Sequence, residues 1–412
     1  MLAYKNISKT TLPGLLGLAL ILPSLESSAL EWYAEPTASV GTGYDDNVNM
    51  VAGPHDTVLG IIVSPNLILS AKSEQWSFSG HTKLTRYEFP GNSEESRTDY
   101  LLDLTYTQQN ELNQWQLASN LTRDSSLLSE LSQTGVPVRS QRLYQSLSPA
   151  WAHAITERDI FTLGHNYENV TYSRTSGNNV RDYVTQSPFI SLKHNFSEKQ
   201  IATLSLAYSD YKTESPITIS SSKFNVSTTS ANLGISQTFS DTLTGSITVG
   251  ARKSTSTTSG LTCEFNLGQC FPEEFSLSDS SNGSLLDATL EKTFESSQFT
   301  AGLSRSLQPS SFGGVLQTDQ VTAGYNAKLS PRLTGGLNFS AYKSQQLKST
   351  SDSTTYKYYN IMPTLAWQIT EWWGATTYYS RSISQNSSSQ NITGNAINLT
   401  VNYNWPRISR SR

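Results

Sequence analysis

The chain has 412 residues, with 29 Lys and Arg against 33 Asp and Glu and a formal net charge of −4. So mild a balance argues against nucleic acid as a partner, because neutralising phosphates needs a basic surface. The apolar fraction is 36% and aromatics reach 10%, which is little for the core of a soluble domain this long. It suits a barrel wall that is apolar outside and polar inside.

The first residues follow a secretory pattern: Lys5 and Lys9, an apolar stretch from Leu12 to Leu25 broken by Pro13 and Pro23, then Ser27-Ser28-Ala29. That stretch is shorter than the roughly 20 apolar residues of a membrane-spanning helix. Residues 1–29 are expected to be cleaved as a signal peptide, and no Cys follows to carry a lipid anchor. Residues 30–412 are then one domain with a net charge near −5, since Lys5, Lys9 and Glu26 are lost.

Beyond residue 30, alternation of apolar and polar residues marks about eighteen candidate strands, with sixteen as the alternative count. In Trp76–Leu84 one face carries Trp76, Phe78, Thr82 and Leu84, and the other Ser77, Ser79, His81 and Lys83. Tyr100, Leu102, Leu104 and Tyr106 oppose Asp103 and Thr105. Ile397, Leu399, Val401, Tyr403 and Trp405 oppose Asn398, Thr400, Asn402 and Asn404. A soluble sandwich shows the same alternation, so the connectors must decide.

A short phrase recurs between strands: Ile155-Thr156-Glu157-Arg158, Phe196-Ser197-Glu198-Lys199, Phe239-Ser240-Asp241-Thr242, Phe294-Glu295-Ser296-Ser297, Leu329-Ser330-Pro331-Arg332 and Ile369-Thr370-Glu371-Trp372. These tight turns alternate with longer polar loops, among them Gly43–Asp56, Pro90–Thr98, Asp124–Gln141, Arg174–Asp182, Gln308–Val315 and Gln385–Asn391. Short turns on one side and long loops on the other predict an all-β fold, a transmembrane antiparallel up-and-down β-barrel. The short turns would be periplasmic, and an even strand count would put both termini there. Aromatics beside the turns (Phe161, Phe196, Phe239, Phe294, Phe299, Trp372, Trp373 and Trp405) would form an interfacial girdle.

Several features interrupt the pattern. Pro65, Pro149, Pro188 and Pro363 lie in strands that lead into tight turns, which predicts bulges or bends. Asp45-Asp46-Asn47 reads as an Asx-rich turn at the rim or, less simply, a cation site. Ser125–Gln133 sets Leu127, Leu128 and Leu131 at helical spacing around Glu130, so this loop is a candidate constriction folded inward or an external cap. Cys263 and Cys270 fall in Gly260–Ser284, which lacks alternation and reads as a loop pinned by a local disulfide.

Under this frame Lys83, Asp103, Glu168, Lys193, Arg252, Asp287, Glu291 and Lys328 face the lumen. A charge on the lipid face costs about 2–4 kcal/mol at mid-depth, so any barrel places them there. Their functional reading is selectivity. Both signs occur, and a background of hydroxyls, amides and Tyr suits neutral or weakly charged sugars. His55, His81, His153, His165 and His194 are scattered, and His165 and His194 fall on the lipid-facing parity. No catalytic constellation, metal-ligand spacing or cofactor motif is legible.

Glu35-Pro36-Thr37 through Gly43-Tyr44-Asp45-Asp46-Asn47-Val48 resembles the first strand of the β-barrel porin-2 type of outer-membrane proteins. Arg123-Asp124 with Ser129-Glu130 and Thr134-Gly135 is similar to a stretch of that family, as is Ser148-Pro149-Ala150-Trp151 running to Thr156-Glu157-Arg158. The closing Tyr403-Asn404-Trp405-Pro406-Arg407-Ile408 resembles the end of members tied to exopolysaccharide gene clusters. The resemblance implies an integral outer-membrane barrel of Gram-negative bacteria that takes part in exopolysaccharide biosynthesis or export. It supplies no catalytic residues. The partners expected are outer-membrane lipid, a polysaccharide, the barrel assembly machinery and periplasmic export components. A sugar-selective or general diffusion porin is the alternative, and a non-transporting surface barrel whose loops bind matrix polymer is another. Barrel precursors usually end on an aromatic residue that the assembly machinery reads, whereas here Trp405 is followed by the basic tail 406–412.

Overall fold

Alternation with period two commits each segment to a strand with one apolar face, and such strands are stable in a membrane only when every edge is paired. The computed structural model describes residues 30–411 apart from 92, 135, 138–139, 174–179, 215–221, 267–268, 313, 348–354 and 387–390. The strands are β1 (Glu31–Asp45), β2 (Val58–Lys72), β3 (Trp76–Glu88), β4 (Arg97–Gln109), β5 (Asn113–Ser125), β6 (Gln141–Ala154), β7 (Asp159–Tyr172), β8 (Tyr183–Ser197) and β9 (Gln200–Glu214). They continue with β10 (Ser222–Ser240), β11 (Leu243–Asn266), β12 (Gln269–Thr293), β13 (Ser297–Ser310), β14 (Gly314–Ser330), β15 (Leu333–Gln346), β16 (Thr355–Gln368), β17 (Trp373–Asn386) and β18 (Ile392–Asn404). Each pairs antiparallel with the next, and β1 closes on β18 from Thr37↔Asn404 to Asp45↔Ala396. The result is a closed barrel of 18 strands. One helix, α1 (Ser126–Thr134), follows β5.

Outside, Val40, Leu59, Leu84, Leu163, Leu204, Leu233, Ile247, Leu303, Val321, Leu337 and Leu399 are exposed. Each would forgo about 1.5–3 kcal/mol of burial in water, so this band is a lipid-facing surface. Trp115, Phe196, Phe239, Phe294, Trp367, Trp373 and Trp405 are exposed beside the tight turns, at the depth where an aromatic girdle is stable.

The prolines do not bulge. Pairing of β2 with β3 jumps from Val63↔Arg86 to Asn66↔Lys83, and the same two-residue gap flanks Pro149, Pro188 and Pro363. The register is unchanged across every gap, so the predicted bends are absent. Each ring faces outward, and the missing N–H points at the following strand, within the tight-turn hairpin. Two of the lost rungs are spanned by side chains instead: Ser64 Oγ lies 2.9 Å from Thr85 Oγ1, and Ser187 Oγ donates to Ser209 Oγ at 2.9 Å.

Two expectations at the ends are corrected, and one element is added. The region read as a loop, Gly260–Ser284, is a two-stranded ribbon in which β11 and β12 stay paired to Asn266↔Gln269. The ribbon rises beyond the band, so the alternation that lipid demands is not needed there. The register sets Cys263 opposite Pro272 and Cys270 opposite Phe265, and the cysteine side chains lie outside the described residues. Gln308–Val315 is likewise not a loop, since β13 and β14 pair up to Ser310↔Gly314. The basic tail forms a further strand, β19 (Ile408–Ser411), along Glu31–Ala34 of β1. Arg407 lies 3.6 Å from the Tyr33 ring centroid and 3.6 Å from Glu35 Oε1, contacts that hold the tail to the first strand.

Candidate functional site

The half of the lumen nearest the long loops is filled by the chain itself. Leu127 and Leu131, four residues apart and so on one side of α1, pack with Met50 from the β1–β2 loop and with Tyr342 and Tyr358 of β15 and β16. Val136, just past α1, belongs to a second cluster with Val170, Tyr172, Tyr183, Tyr211, Val226 and Leu316. Those residues come from the far wall, so the segment crosses the lumen. The β5–β6 loop therefore folds inward and is not an external cap. The Leu128 side chain lies outside the described residues. Ser126 closes the loop by accepting the Ser140 N–H at 2.8 Å and donating to the Ser140 carbonyl at 2.9 Å.

Glu130 is the polar anchor of this plug. It is 3% exposed; Tyr172 OH donates to Oε1 and Ser311 Oγ donates to Oε2 at 3.0 Å. Burial pushes its carboxyl above the ordinary range, against the pull of these donors and of Arg142. At the C-terminal end of α1, Ser344 Oγ donates to the Thr134 carbonyl and stands 2.9 Å from Thr318 Oγ1. One carboxylate thus ties α1 to β7 and to the β13–β14 tip, while Ser344 ties it to β15.

The β13–β14 tip itself leans into the barrel. Tyr211 OH donates to the Ser310 carbonyl at 3.2 Å, and the Arg181 N–H donates to the Ser311 carbonyl at 2.7 Å. Arg252, on the inner face of β11, donates to Gln317 Oε1 of β14 at 2.8 Å although these strands are not neighbours in the wall. Its guanidinium lies where a Cβ on Gly283 would stand, 2.7 Å away. A larger residue at 283 would displace the guanidinium.

Below α1, Arg142 and Asp124 form a bidentate pair at 3.1 and 3.0 Å. Asp45, Asp46 and Asn47 form a structural clasp: Asp45 Oδ1 accepts the Asn47 N–H at 2.9 Å, and Asp46 accepts both the backbone N–H and the amide of Asn395 at 2.7 Å. The buried Asn47 adds bonds to Val51 and Thr393. What remains open beside α1 is a cavity of about 390 Å³ lined by Asp45, Leu131, Tyr342, Tyr358, Asn360 and Tyr378, among others. Tyr358 OH lies 2.9 Å from Ser382 Oγ, and Asn360 donates to Ser380 and Ser382 at 2.8 and 3.0 Å.

All eight sequence-predicted lumen charges stand on the inward parity. Asp103 accepts from Asn120 and lies 3.9 Å from His81, whose other ring nitrogen meets Asn66 Oδ1 at 2.5 Å. Lys83 shares that inner face two residues along β3. Glu168 accepts from Tyr144 OH at 3.1 Å, in the plugged half with Arg252. Lys193, Asp287, Glu291 and Lys328 stay apart on the wall, and Glu291 accepts from Gln298 at 2.5 Å. His194 faces outward at a tight turn, 2.8 Å from Asp159 Oδ1. Sequence reasoning missed Tyr172, Ser311, Ser344, Met50 and the Asp124–Arg142 pair; only inward parity of the tyrosines on β15 and β16 could have flagged the cavity wall.

Together these features define a membrane-spanning antiparallel β-barrel whose lumen is narrowed from within. No family model and no curated protein matches the chain. Among solved structures it is similar to the ferric-catecholate import receptor Fiu of E. coli K12, with 8% identity over 92% of this chain and 82% of that one and a TM-score of 0.48. It is also similar to OccAB4 of Acinetobacter baumannii (10% identity, 93% and 99% covered, TM-score 0.48) and to OpdQ of Pseudomonas aeruginosa (10%, 91% and 97%, 0.46).

Proposed function

We propose that this chain is a gated outer-membrane channel, selective for neutral or weakly charged, hydroxyl-rich solutes, and not an enzyme. The observation that carries this reading is the cavity of about 390 Å³ left beside α1, where tyrosines, amides and hydroxyls line the space together with Asp45 and the apolar Met50, Leu127, Leu131 and Met362. Such groups offer many weak, exchangeable hydrogen bonds and ring contacts, so a sugar enters and still leaves. A plug held by a buried carboxylate supports gating over free diffusion. In this reading the tight turns and both termini are periplasmic, residues 1–29 are the export signal, and a Cys263–Cys270 disulfide braces the tip of the external ribbon.

Export of an exopolysaccharide is the narrower form of the same reading. A polymer threads only with α1 displaced, so it requires the periplasmic partners or the polymer itself to unseat the helix. Single-channel conductance with and without oligosaccharides tests the general reading: a measurable current that sugars block is expected. A barrel that never conducts, with or without the plug, is instead a surface scaffold. Deleting the gene and comparing secreted with periplasmic polymer tests export, and unchanged secretion removes it.

A further inference from the structure

On the outward face, the row that closes the apolar band at the long-loop end is charged. It runs through register partners: Arg305 of β13, Asp319 of β14, Lys343 of β15 and Lys357 of β16. Arg305 holds both oxygens of Asp319, at 2.6 and 2.9 Å. Lys343 and Lys357 are therefore left directly opposite each other, both exposed, with no carboxylate bonded to either among the described residues. Arg381 of β17 stands on the same face opposite Ile361, two outward rows nearer the tight turns, and is likewise exposed and unpaired among the described residues.

Other outward cations at this height are mostly provided for. Arg86 pairs with Glu88 at 2.5 Å and Lys212 with Asp210 at 2.6 Å. Arg123 donates to the Gln141 amide, and Lys253 stands singly on β11. Like charges directly opposite on an antiparallel pair oppose folding, more so beside a low-dielectric band than in open water. A shared anion reverses that sign. Directly beneath the lysines on the same face lie Tyr359, then Phe339 and Ile361, all exposed. Tyrosine at this depth marks a headgroup boundary, and the apolar residues below it offer a surface for acyl chains.

We propose that Lys343 and Lys357 bind a phosphate of a phosphorylated lipid headgroup, its acyl chains lying along Phe339, Tyr359 and Ile361. The inference rests on the outward face meeting lipid and is independent of what the lumen carries. Two facing ammonium groups match the charge of one phosphate, and their stems can lie along the wall while the heads reach the boundary.

The test uses the full chain purified in an uncharged detergent and titrated with three probes: bis-phosphorylated lipid A, its dephosphorylated counterpart and inorganic phosphate. Native mass spectrometry counts bound lipid, and thermal unfolding reads the linked stabilisation. Lipid A is expected to bind at least tenfold more tightly to the wild type than to the variant Lys343→Ala/Lys357→Ala. The dephosphorylated lipid should lose a similar factor on the wild type, and Lys343→Arg/Lys357→Arg should retain binding. Lys357→Glu, which supplies a partner for Lys343 and faces the neutral Gln385 on its other side, should raise the unfolding temperature in lipid-free detergent while abolishing lipid binding. Equal lipid A binding by wild type and the alanine variant overturns the proposal, as does equal binding of the dephosphorylated lipid. Inorganic phosphate that stabilises as strongly as lipid A overturns the lipid source and leaves a free-anion site. Conductance of the alanine variant should equal that of the wild type, so this proposal and the channel reading fail separately.

Discussion

Replacing Glu130 with alanine should unseat the plug while leaving the wall intact. The carboxylate accepts from Tyr172 and Ser311 inside a site where it is 3% exposed. Truncation strands both donors, and an unsatisfied buried hydroxyl costs about 1–3 kcal/mol. The gain from no longer burying a charge offsets part of this, so a net loss of about 3 kcal/mol is the working figure. That is a roughly 150-fold shift toward the unseated helix. No wall rung depends on Glu130, so the barrel should still migrate as a folded species on an unheated gel. Planar-bilayer recording should show larger or longer openings in Glu130→Ala than in the wild type, with deletion of residues 126–140 setting the upper limit. A folded Glu130→Ala barrel with wild-type conductance, beside a deletion that does conduct more, would refute the role given to this carboxylate.

The same site should respond to pH and to a conservative change. Burial raises the Glu130 carboxyl, so its seat is most stable below the ordinary Glu value of about 4.3 and weakens as pH rises through the raised one. Conductance should therefore be lowest in acid and increase toward neutral pH; a current that rises on acidification contradicts this. Glu130→Gln mimics the protonated acid and should stay closed with a flattened pH profile in the same recordings. Asp124→Ala leaves the Arg142 guanidinium, 6% exposed, without its partner. Breaking a buried pair in this way costs about 3–5 kcal/mol, seen as a lower urea midpoint in reversible unfolding. Leu204→Arg puts a charge on the lipid face and should cost about 2–4 kcal/mol, whereas Ser205→Arg points into the lumen and should leave the midpoint nearly unchanged.

Much of the wall was legible because its cause is local. In Trp76–Leu84 the alternation alone assigned His81 and Lys83 to one face, and the structure places both in the lumen beside Asn66 and Asp103. The phrase ending Phe239-Ser240-Asp241-Thr242 marked a hairpin that the β10–β11 register closes. Local reading failed where the environment changes. The ribbon of β11 and β12 rises beyond the lipid band, where no alternation is demanded, so it read as a loop. The prolines read as bends because a missing N–H was counted against the strand, when it faces only one of two neighbours.

The plug was legible only as a short helix of uncertain direction. Its bonds join residues 42, 181 and 210 positions apart, Tyr172 and Ser311 to Glu130 and Ser344 to Thr134. Period-two and period-3.6 patterns describe one segment and its nearest water or lipid; they hold no information about which wall lies across the lumen. The sequence by itself therefore determined the barrel and the face of most side chains within its strands, since those follow from burial within single strands and turns, and it narrowed the strand count to eighteen or sixteen. Tertiary structure alone decided that α1 and the β13–β14 tip turn inward. Closing the barrel brings distant strands within reach of one another, and only then do Glu130, Tyr172 and Ser311 form a site.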